Sequence, residues 1–329
     1  MTGSSNTPSA GAPTVSIIIA TYNRSQPLRH AIQSVLAQTF ADWEVIVVGD
    51  ACTDDTAVCV AAFEDSRIRF VNLPERFGYQ SGPNNHGLSL ARGNLVAFLN
   101  HDDLYFSDHL EVCVAQLERS GADLVWVPTA MCVPNSGATP PHQGAHQGSV
   151  RAVSFMLSGV PATPEYWPSA FYFASSWVFR RSLADRVGPW LAPEQTFLLP
   201  SQEWLFRAWR RGASLRYVPN VTVMTIPAGY WPVSYGRREC PEHDRLAQWI
   251  KGDPRCRERI LEDVALAEAM SNRSNRLKPA WMMVRRQLLR PVYSLLIACG
   301  VHPQAISAAL HQRRRGKAVA MHKTSSGAD

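Results

Sequence analysis

Over the first 130 residues, unbroken apolar runs alternate with stretches whose apolar positions recur at helical spacing. Residues 14–23 (TVSIIIATYN) form a short, β-branched apolar run ending in polar residues, which predicts a buried strand. Residues 25–40 set Leu28, Ile32, Val35 and Leu36 on one helical face, with Ser25 as the expected N-cap and Pro27 in the first turn. The alternation continues with a strand at 43–50 (WEVIVVGD), a helix at 53–64 with acids in its first turn, and a strand at 68–74. A helix at 82–93 and a strand at 94–100 (NLVAFLN) follow. Strands apolar throughout, separated by helices, predict a mostly parallel sheet covered on both faces.

In such sheets, ligands bind beyond the carboxyl ends of the strands. Three polar clusters stand there: Thr21-Tyr22-Asn23-Arg24, Asp50, and His101-Asp102-Asp103. Adjacent carboxylates at the end of a buried strand repel each other unless a cation, a proton or a ligand sits between them. A lone Asp-Asp pair is usually a solvated turn, but sharing an edge with two other clusters points to a site. No Gly-x-Gly-x-x-Gly follows the first strand and no Gly-x-x-x-x-Gly-Lys-Ser/Thr occurs, so dinucleotide binding and a P-loop are disfavoured. Paired carboxylates without a phosphate-cradling loop suit a hard divalent cation bridging a diphosphate.

Composition sharpens this picture in two places. The chain has 329 residues, 46% hydrophobic and 18% charged, as expected of one large or two modest folded domains. Its net charge of +6 is unevenly placed: from Arg273 onward there are 11 Lys and Arg against one acid, Asp329. The body then holds 22 basic and 26 acidic residues, which argues against nucleic-acid binding as its main business. The seven Cys include no Cys-x-x-Cys pair, so neither a disulfide framework nor a zinc knuckle is suggested and a reducing cytoplasm fits. The small, polar residues 1–13 are expected to be a disordered lead rather than a signal peptide.

Four stretches in order, SIIIATYNR, VIVVGDACTDDT, NNHGLSLARGNLVAFLNHDD and SQEWLFRAWRRG, resemble the motifs of the family 2 inverting glycosyltransferases with the GT-A fold. The resemblance covers about residues 14 to 225. It implies that Ala20, Thr21, Tyr22, Arg24, Asp50, Asn100 and Asp102 hold the donor nucleotide, with Asp50 near the base or ribose. It implies that Asp102 and Asp103 meet a divalent cation, Mg²⁺ or Mn²⁺, and that Arg92, Asp103 and Arg207 serve the diphosphate and sugar. There are departures: Gly49 and Asn100 stand where the family usually has acids, and Asn84 replaces a commonly basic residue. Asn100 can still hydrogen-bond a ribose hydroxyl or orient a carboxylate, but it adds no negative charge.

The second half carries the acceptor side. Residues 122–129 read as a strand, and 134–150, rich in Pro, Gly, Gln and His, as a surface loop despite the spacing of His142 and His146. Residues 175–191 resemble the family's acceptor-side strand and following helix. Residues 200–212 open on Pro200-Ser201, a helix start, with Trp204, Leu205, Ala208 and Trp209 at helical spacing. Glu203 in the first turn compensates the helix dipole on one reading. On the other, by the resemblance, it is the catalytic carboxylate, with Gln202 where an acid often stands. Arg207, one turn on, pairs with Glu203 or meets the diphosphate, and Trp204 lines an acceptor pocket or sits in the core.

The tail at 279–303 alternates apolar clusters with Arg285, Arg286 and Arg290, and its uncharged run from Pro291 to Val301 is 11 residues, short of the ~20 a spanning helix needs. Two placements stay open: an amphipathic helix on an anionic inner leaflet, or a helix packed on the catalytic domain.

The expectation is therefore an α/β protein of GT-A type: a mostly parallel central sheet flanked by helices, a Rossmann-like nucleotide-binding half and an acceptor half, with a helical C-terminal extension. The divisions are 1–13, 14–130, 131–230 and 231–329. The expected activity is transfer, with inversion, from a nucleoside-diphosphate sugar to a hydroxyl acceptor, a saccharide or lipid-linked saccharide, in the cytoplasm or at the inner face of the membrane. The alternatives are a non-catalytic nucleotide-sugar-binding protein and a sugar-phosphate nucleotidyltransferase.

Overall fold

The computed structural model describes residues 11–134, 153–160, 166–168, 170–196, 198–226, 241–274 and 291–303. Residues 1–10 of the expected lead at 1–13, and 135–150 of the His-containing stretch at 134–150, lie outside them.

The alternation in the first hundred residues becomes β1 (Val15–Thr21), α1 (Ser25–Leu36), β2 (Trp43–Gly49), α2 (Thr56–Ala61), β3 (Ile68–Asn72), α3 (Ser81–Leu90) and β4 (Leu95–Phe98). Every residue of β2 and β4 is buried, which is why they read as continuous apolar runs. One expectation shifts at α1. Its N-cap is Arg24, and Ser25 is already helical, its hydroxyl donating to Asp55 Oδ1 at 2.7 Å instead of capping.

Beyond Asp103 the chain builds β5 (Leu104–Tyr105), α4 (His109–Ser120), β6 (Leu124–Trp126), β7 (Thr129–Pro134) and β8 (Val153–Ser158). Then come β9 (Trp177–Arg180), α5 (Arg181–Val187), α6 (Pro200–Arg210), β10 (Leu215–Tyr217) and β11 (Val223–Thr225). The extension contains α7 (Pro241–Gly252), α8 (Cys256–Ser274) and a helix at 291–298.

The central sheet has seven strands in the order β10-β6-β9-β4-β1-β2-β3. All its pairings are parallel except those of β9, which runs antiparallel between β4 and β6. Ser16 lies opposite Glu44 and Thr21 opposite Gly49, so the ends of β1 and β2 reach one edge together. Ile17, Ile19, Val45 and Val47 pack with Leu28, Ile32 and Val35 of α1 on one face. Ile18, Ile46, Val96 and Phe98 pack with Trp177, Trp190 and Trp204 on the other. A second sheet, β5-β11-β7-β8, starts directly after the Asp102-Asp103 pair and packs with Leu246, Ile260 and Val264 of α7 and α8. That sheet is not foreseen from the sequence, because its strands are short and pair across long separations.

Candidate active site

The three polar clusters do meet at the carboxyl edge of β1, β2 and β4. The first two are stitched together by backbone-directed side chains. Asn23 sits at φ 49°, a conformation an asparagine tolerates better than most residues. Its Oδ1 accepts the N–H groups of Thr53 (2.8 Å) and Asp54 (3.2 Å), and its Nδ2 donates to Thr53 Oγ1. Asn72, at the end of β3, accepts the Cys52 N–H at 2.8 Å and donates to the Cys52 carbonyl at 2.9 Å. Its Oδ1 would stand 2.5 Å from a Cβ on Gly49, with Phe70 Cζ at 3.0 Å and Cys52 Sγ at 3.1 Å. The departure at Gly49 thus has a steric cause: the space of an acidic side chain is filled by Asn72.

Asp50 is buried and accepts the N–H groups of Phe77 (2.7 Å) and Gly78 (2.8 Å), fixing the loop between β3 and α3 over the edge. From that loop Arg76 lies over the Tyr22 ring, 3.9 Å from its centroid. The buried Thr21 Oγ1 has no hydrogen-bond partner among the described residues. The Ala20 carbonyl faces His101 Nδ1 at 3.2 Å.

The neighbouring carboxylates of the third cluster take opposite roles. Asp103 is 3% exposed, and its oxygens accept hydrogen bonds from Asn100 Nδ2 (2.9 Å), Ser175 Oγ (2.5 Å) and the Ile226 N–H (3.1 Å). Burial first, and the Asp102 charge second, push its carboxyl up to about 7, against the pull of those three donors. It ties the exit of β4, the turn before β9 and the end of β11 into one junction. Asp103 thus stands at the edge where the resemblance puts the cation and sugar diphosphate, buried and with three of the protein's own donors on its oxygens. Asn100 completes the junction, its backbone N–H donating to Ser175 Oγ and its Oδ1 accepting Gln80 Nε2.

The Asp102 carboxylate, by contrast, makes no hydrogen bond among the described residues; only its main-chain carbonyl is engaged, by His243 Nε2 at 3.0 Å. His243 comes from α7, is 6% exposed, and keeps Nδ1 buried without a hydrogen-bond partner among the described residues. Burial foremost lowers its pKa to about 4, with Arg24 and His101 adding to the fall and Asp102 opposing it. Arg24 is itself buried at the head of α1. Among the described residues no group of three or more His, Cys, Asp and Glu gathers as a metal cage. The donor set fits a hard divalent cation of the kind that keeps one or two carboxylates and takes its other oxygens from substrate phosphates. Asp102 is the carboxylate that would supply such a ligand. His243 carried no signal in the sequence; it lies 141 residues from Asp102 and outside every motif.

On the acceptor side, the Gln202 amide donates to the Tyr172 carbonyl at 2.7 Å and accepts its N–H at 3.3 Å. This fixes the start of α6 to the segment that leads into Ser175. Glu203, next in α6, is held by Arg207 through two parallel bonds, Nε to Oε1 at 2.9 Å and Nη2 to Oε2 at 2.8 Å. The same guanidinium donates to the carbonyls of Val187 and Pro189, each at 2.7 Å. Arg207 is therefore engaged with Glu203 and the end of α5, the pairing that the sequence offered beside a place on the diphosphate. Trp204 is corrected: it is fully buried, stacked near Trp177 and Trp190, with Nε1 bonded to the Gly188 carbonyl, so it builds core rather than an acceptor pocket.

Arg92 stands at the wrong edge for its expected role. It precedes β4 and joins the buried Glu44 near the start of β2, Nε to Oε2 at 2.9 Å and main-chain N to Oε1 at 2.9 Å, where Ser16 Oγ also donates at 2.7 Å. The length of the strands separates it from the carboxyl edge.

A central, mostly parallel sheet with a nucleotide-type edge, an inserted antiparallel strand and an acidic helix start beside it defines a GT-A protein. The glycosyl transferase family 2 model matches residues 16–188, just over half of the chain, and the chain belongs to that family. Among curated proteins it is 34% identical over 112 residues to the Escherichia coli UDP-Glc:alpha-D-GlcNAc-diphosphoundecaprenol beta-1,3-glucosyltransferase WfgD, covering 34% of this chain and 44% of that one. It is 36% identical over 112 residues to the succinoglycan biosynthesis protein ExoO of Rhizobium meliloti, covering 34% and 32%. The matched part thus spans less than half the length of either relative. Among solved structures, S. aureus TarS 1-349 in complex with UDP-GlcNAc superposes with a TM-score of 0.53 at 18% identity, over 72% of this chain and 66% of that one.

Proposed function

We propose that this chain transfers a sugar from a nucleoside-diphosphate donor to a hydroxyl acceptor with inversion, as a step in building a polysaccharide or glycolipid. The observation that carries it is the split of the Asp pair: Asp103 locked inward by Ser175, Asn100 and Ile226, and Asp102 left with an uncommitted carboxylate at the carboxyl edge. Thr21, Tyr22 and Asp50 form the nucleoside end of that edge, and Asp102 the diphosphate end. A bound Mg²⁺ or Mn²⁺ would neutralise charge developing on the departing diphosphate. Glu203 serves as the base, taking the acceptor hydroxyl proton opposite the leaving group in a single in-line displacement. Arg207 keeps its carboxylate in one orientation and away from other partners.

A UDP-sugar is the first donor to try, since WfgD is named for UDP-Glc and TarS was solved with UDP-GlcNAc. The WfgD acceptor, a diphosphoundecaprenol-linked sugar, supports a lipid-linked saccharide here, reached with the basic tail on an anionic membrane surface. The work is placed in the cytoplasm, at the inner face of that membrane.

The test is thermal unfolding with UDP-, GDP- and dTDP-sugars, each with Mn²⁺, Mg²⁺ or EDTA. A donor at ~100 times its dissociation constant stabilises the native state by about 2.7 kcal/mol. A metal-dependent shift with one base, absent in Asp102→Ala, is the expected result. No shift with any donor, from folded protein, would sink the reading.

A further inference from the structure

The helical residues 291–298 turn outward a side on which nothing packs among the described residues. Val292 is 51% exposed and Leu295 66%, and Pro291, Ser294, Ala298 and Cys299 are exposed beside them. At helical spacing these six form one continuous arc, while the half-buried Tyr293, Leu296 and Ile297 form the other. Ser294 is the only polar side chain on the outward arc. A surface helix of a water-soluble domain ordinarily shows the reverse pattern.

The end of this helix is fixed to the catalytic unit. His302 is 3% exposed and stands edge-on to Phe206, with ring centroids 4.8 Å apart. The Gly300 carbonyl accepts Arg210 Nη1 at 3.3 Å, and Gly300 takes φ +80°, which favours glycine. Phe206 and Arg210 both belong to α6, the helix that carries Glu203.

Charge selects the occupant of the outward arc. Arg210 and Arg211 are exposed at the end of α6, and the chain from Arg273 onward has 11 basic residues and one acid. A second copy of the chain would bring the same positive charge to the contact. An anionic bilayer surface supplies apolar depth and opposite charge together. The uncharged run from Pro291 to Val301 is 11 residues, short of the ~20 that a spanning helix needs, so it suits the interface better than a crossing.

We propose that the helix at 291–298 docks on an anionic leaflet through Val292, Leu295 and Cys299, and that its clamp on α6 holds the Glu203 end of the site at the membrane surface. This rests on the membrane clause of the reading above for its partner, and not on the chemistry of transfer.

The test uses the full chain, sedimented with vesicles of phosphatidylcholine alone or mixed with phosphatidylglycerol. Binding is expected to the mixed vesicles only, weakened about tenfold or more by Val292→Asp combined with Leu295→Asp, with the melting temperature unchanged. An environment-sensitive dye on Cys299 should shift to shorter wavelength on the mixed vesicles, a signal lost in Cys299→Ser. If the double variant binds as well as the parent, the stripe is not the contact, although a purely electrostatic membrane reading survives. Absence of binding to either vesicle overturns both, and leaves glycosyl transfer untouched. Self-association in vesicle-free solution, abolished by the same double variant, would assign the stripe to a second copy and overturn the proposal.

Discussion

Ser175 donates its hydroxyl to Asp103 at 2.5 Å across 72 residues of sequence, and that bond decides which of two adjacent carboxylates faces inward. With Asn100 and the Ile226 N–H it gives Asp103 three donors, two on Oδ2 and one on Oδ1, so its carboxyl is engaged within the protein. Ser175→Ala removes one donor from a buried carboxylate and should destabilise the fold by about 1–3 kcal/mol. Urea unfolding measures this directly. A midpoint equal to the parent's would mean the hydroxyl does not hold the junction.

Arg92 separates structural from catalytic arginine. Arg92→Ala strips the buried Glu44 of its nearer guanidinium, while Arg69 Nη2 at 3.7 Å, Ser16 Oγ and the residue-92 N–H still serve it. The expected loss is about 1–3 kcal/mol of stability, with donor affinity per folded molecule unchanged. A donor dissociation constant raised tenfold in well-folded Arg92→Ala would restore the arginine to the diphosphate site.

Restoring the acid that the family usually carries at position 49 should harm this chain. The added side chain meets Asn72 Oδ1, Phe70 and Cys52 at 3.1 Å or less already at its Cβ. Gly49→Asp is therefore expected to cost about 1–3 kcal/mol through overpacking, and to loosen the Cys52 loop that Asn72 clamps. Adding Asn72→Ala should recover part of that loss, which a double-mutant cycle would reveal.

Acid should weaken the fold well before ordinary carboxylates titrate. Burial holds His109 at about 3 and His243 and His302 at about 4, against 6.5 in the unfolded chain. As pH falls from 6.5 towards 4, the unfolded chain takes up protons the native protein refuses, so stability falls with pH. Asp103 runs the other way: its native value of about 7 lies above 3.8, so its contribution is full below 3.8 and is lost as pH rises through 7. Three imidazoles outweigh one carboxyl, and each group's limit is about 1.4 kcal/mol per pH unit. Urea midpoints across this window should drop on acidification, less steeply in His109→Asn. A flat profile would show these imidazoles to be accessible in the native state.

The base assignment has its own test. Glu203→Gln keeps the shape of the side chain and removes its capacity to take a proton, so transfer should fall by at least 10²-fold while the donor-induced thermal shift persists. Transfer at the parental rate would return Glu203 to a helix-start acid paired with Arg207.

Local pattern was enough to read the nucleotide half. β1, β2 and β4 are buried almost throughout, so their sequences are apolar apart from Ser16, Thr21 and Glu44, and α1 shows its buried stripe through Leu28, Ile32 and Val35. The polar residues ending those strands were visible for the same reason, since an apolar run that stops marks the sheet edge. Only the tertiary structure decided what each polar group does there. Asp102 and Asp103 are equivalent in the chain and opposite in the fold, because Ser175 and Ile226 arrive from distant segments to surround just one of them. Arg92 looked available in sequence and is claimed by Glu44, an acid 48 residues away that the fold brings against it, whereas Arg207 meets Glu203 one helical turn away, as the sequence allowed. His243 joined the site from α7 with no motif to announce it. Periodicity along a chain records which side of an element is buried. Which partner a buried polar group meets depends on long-range packing, and that is set only when the whole sheet closes.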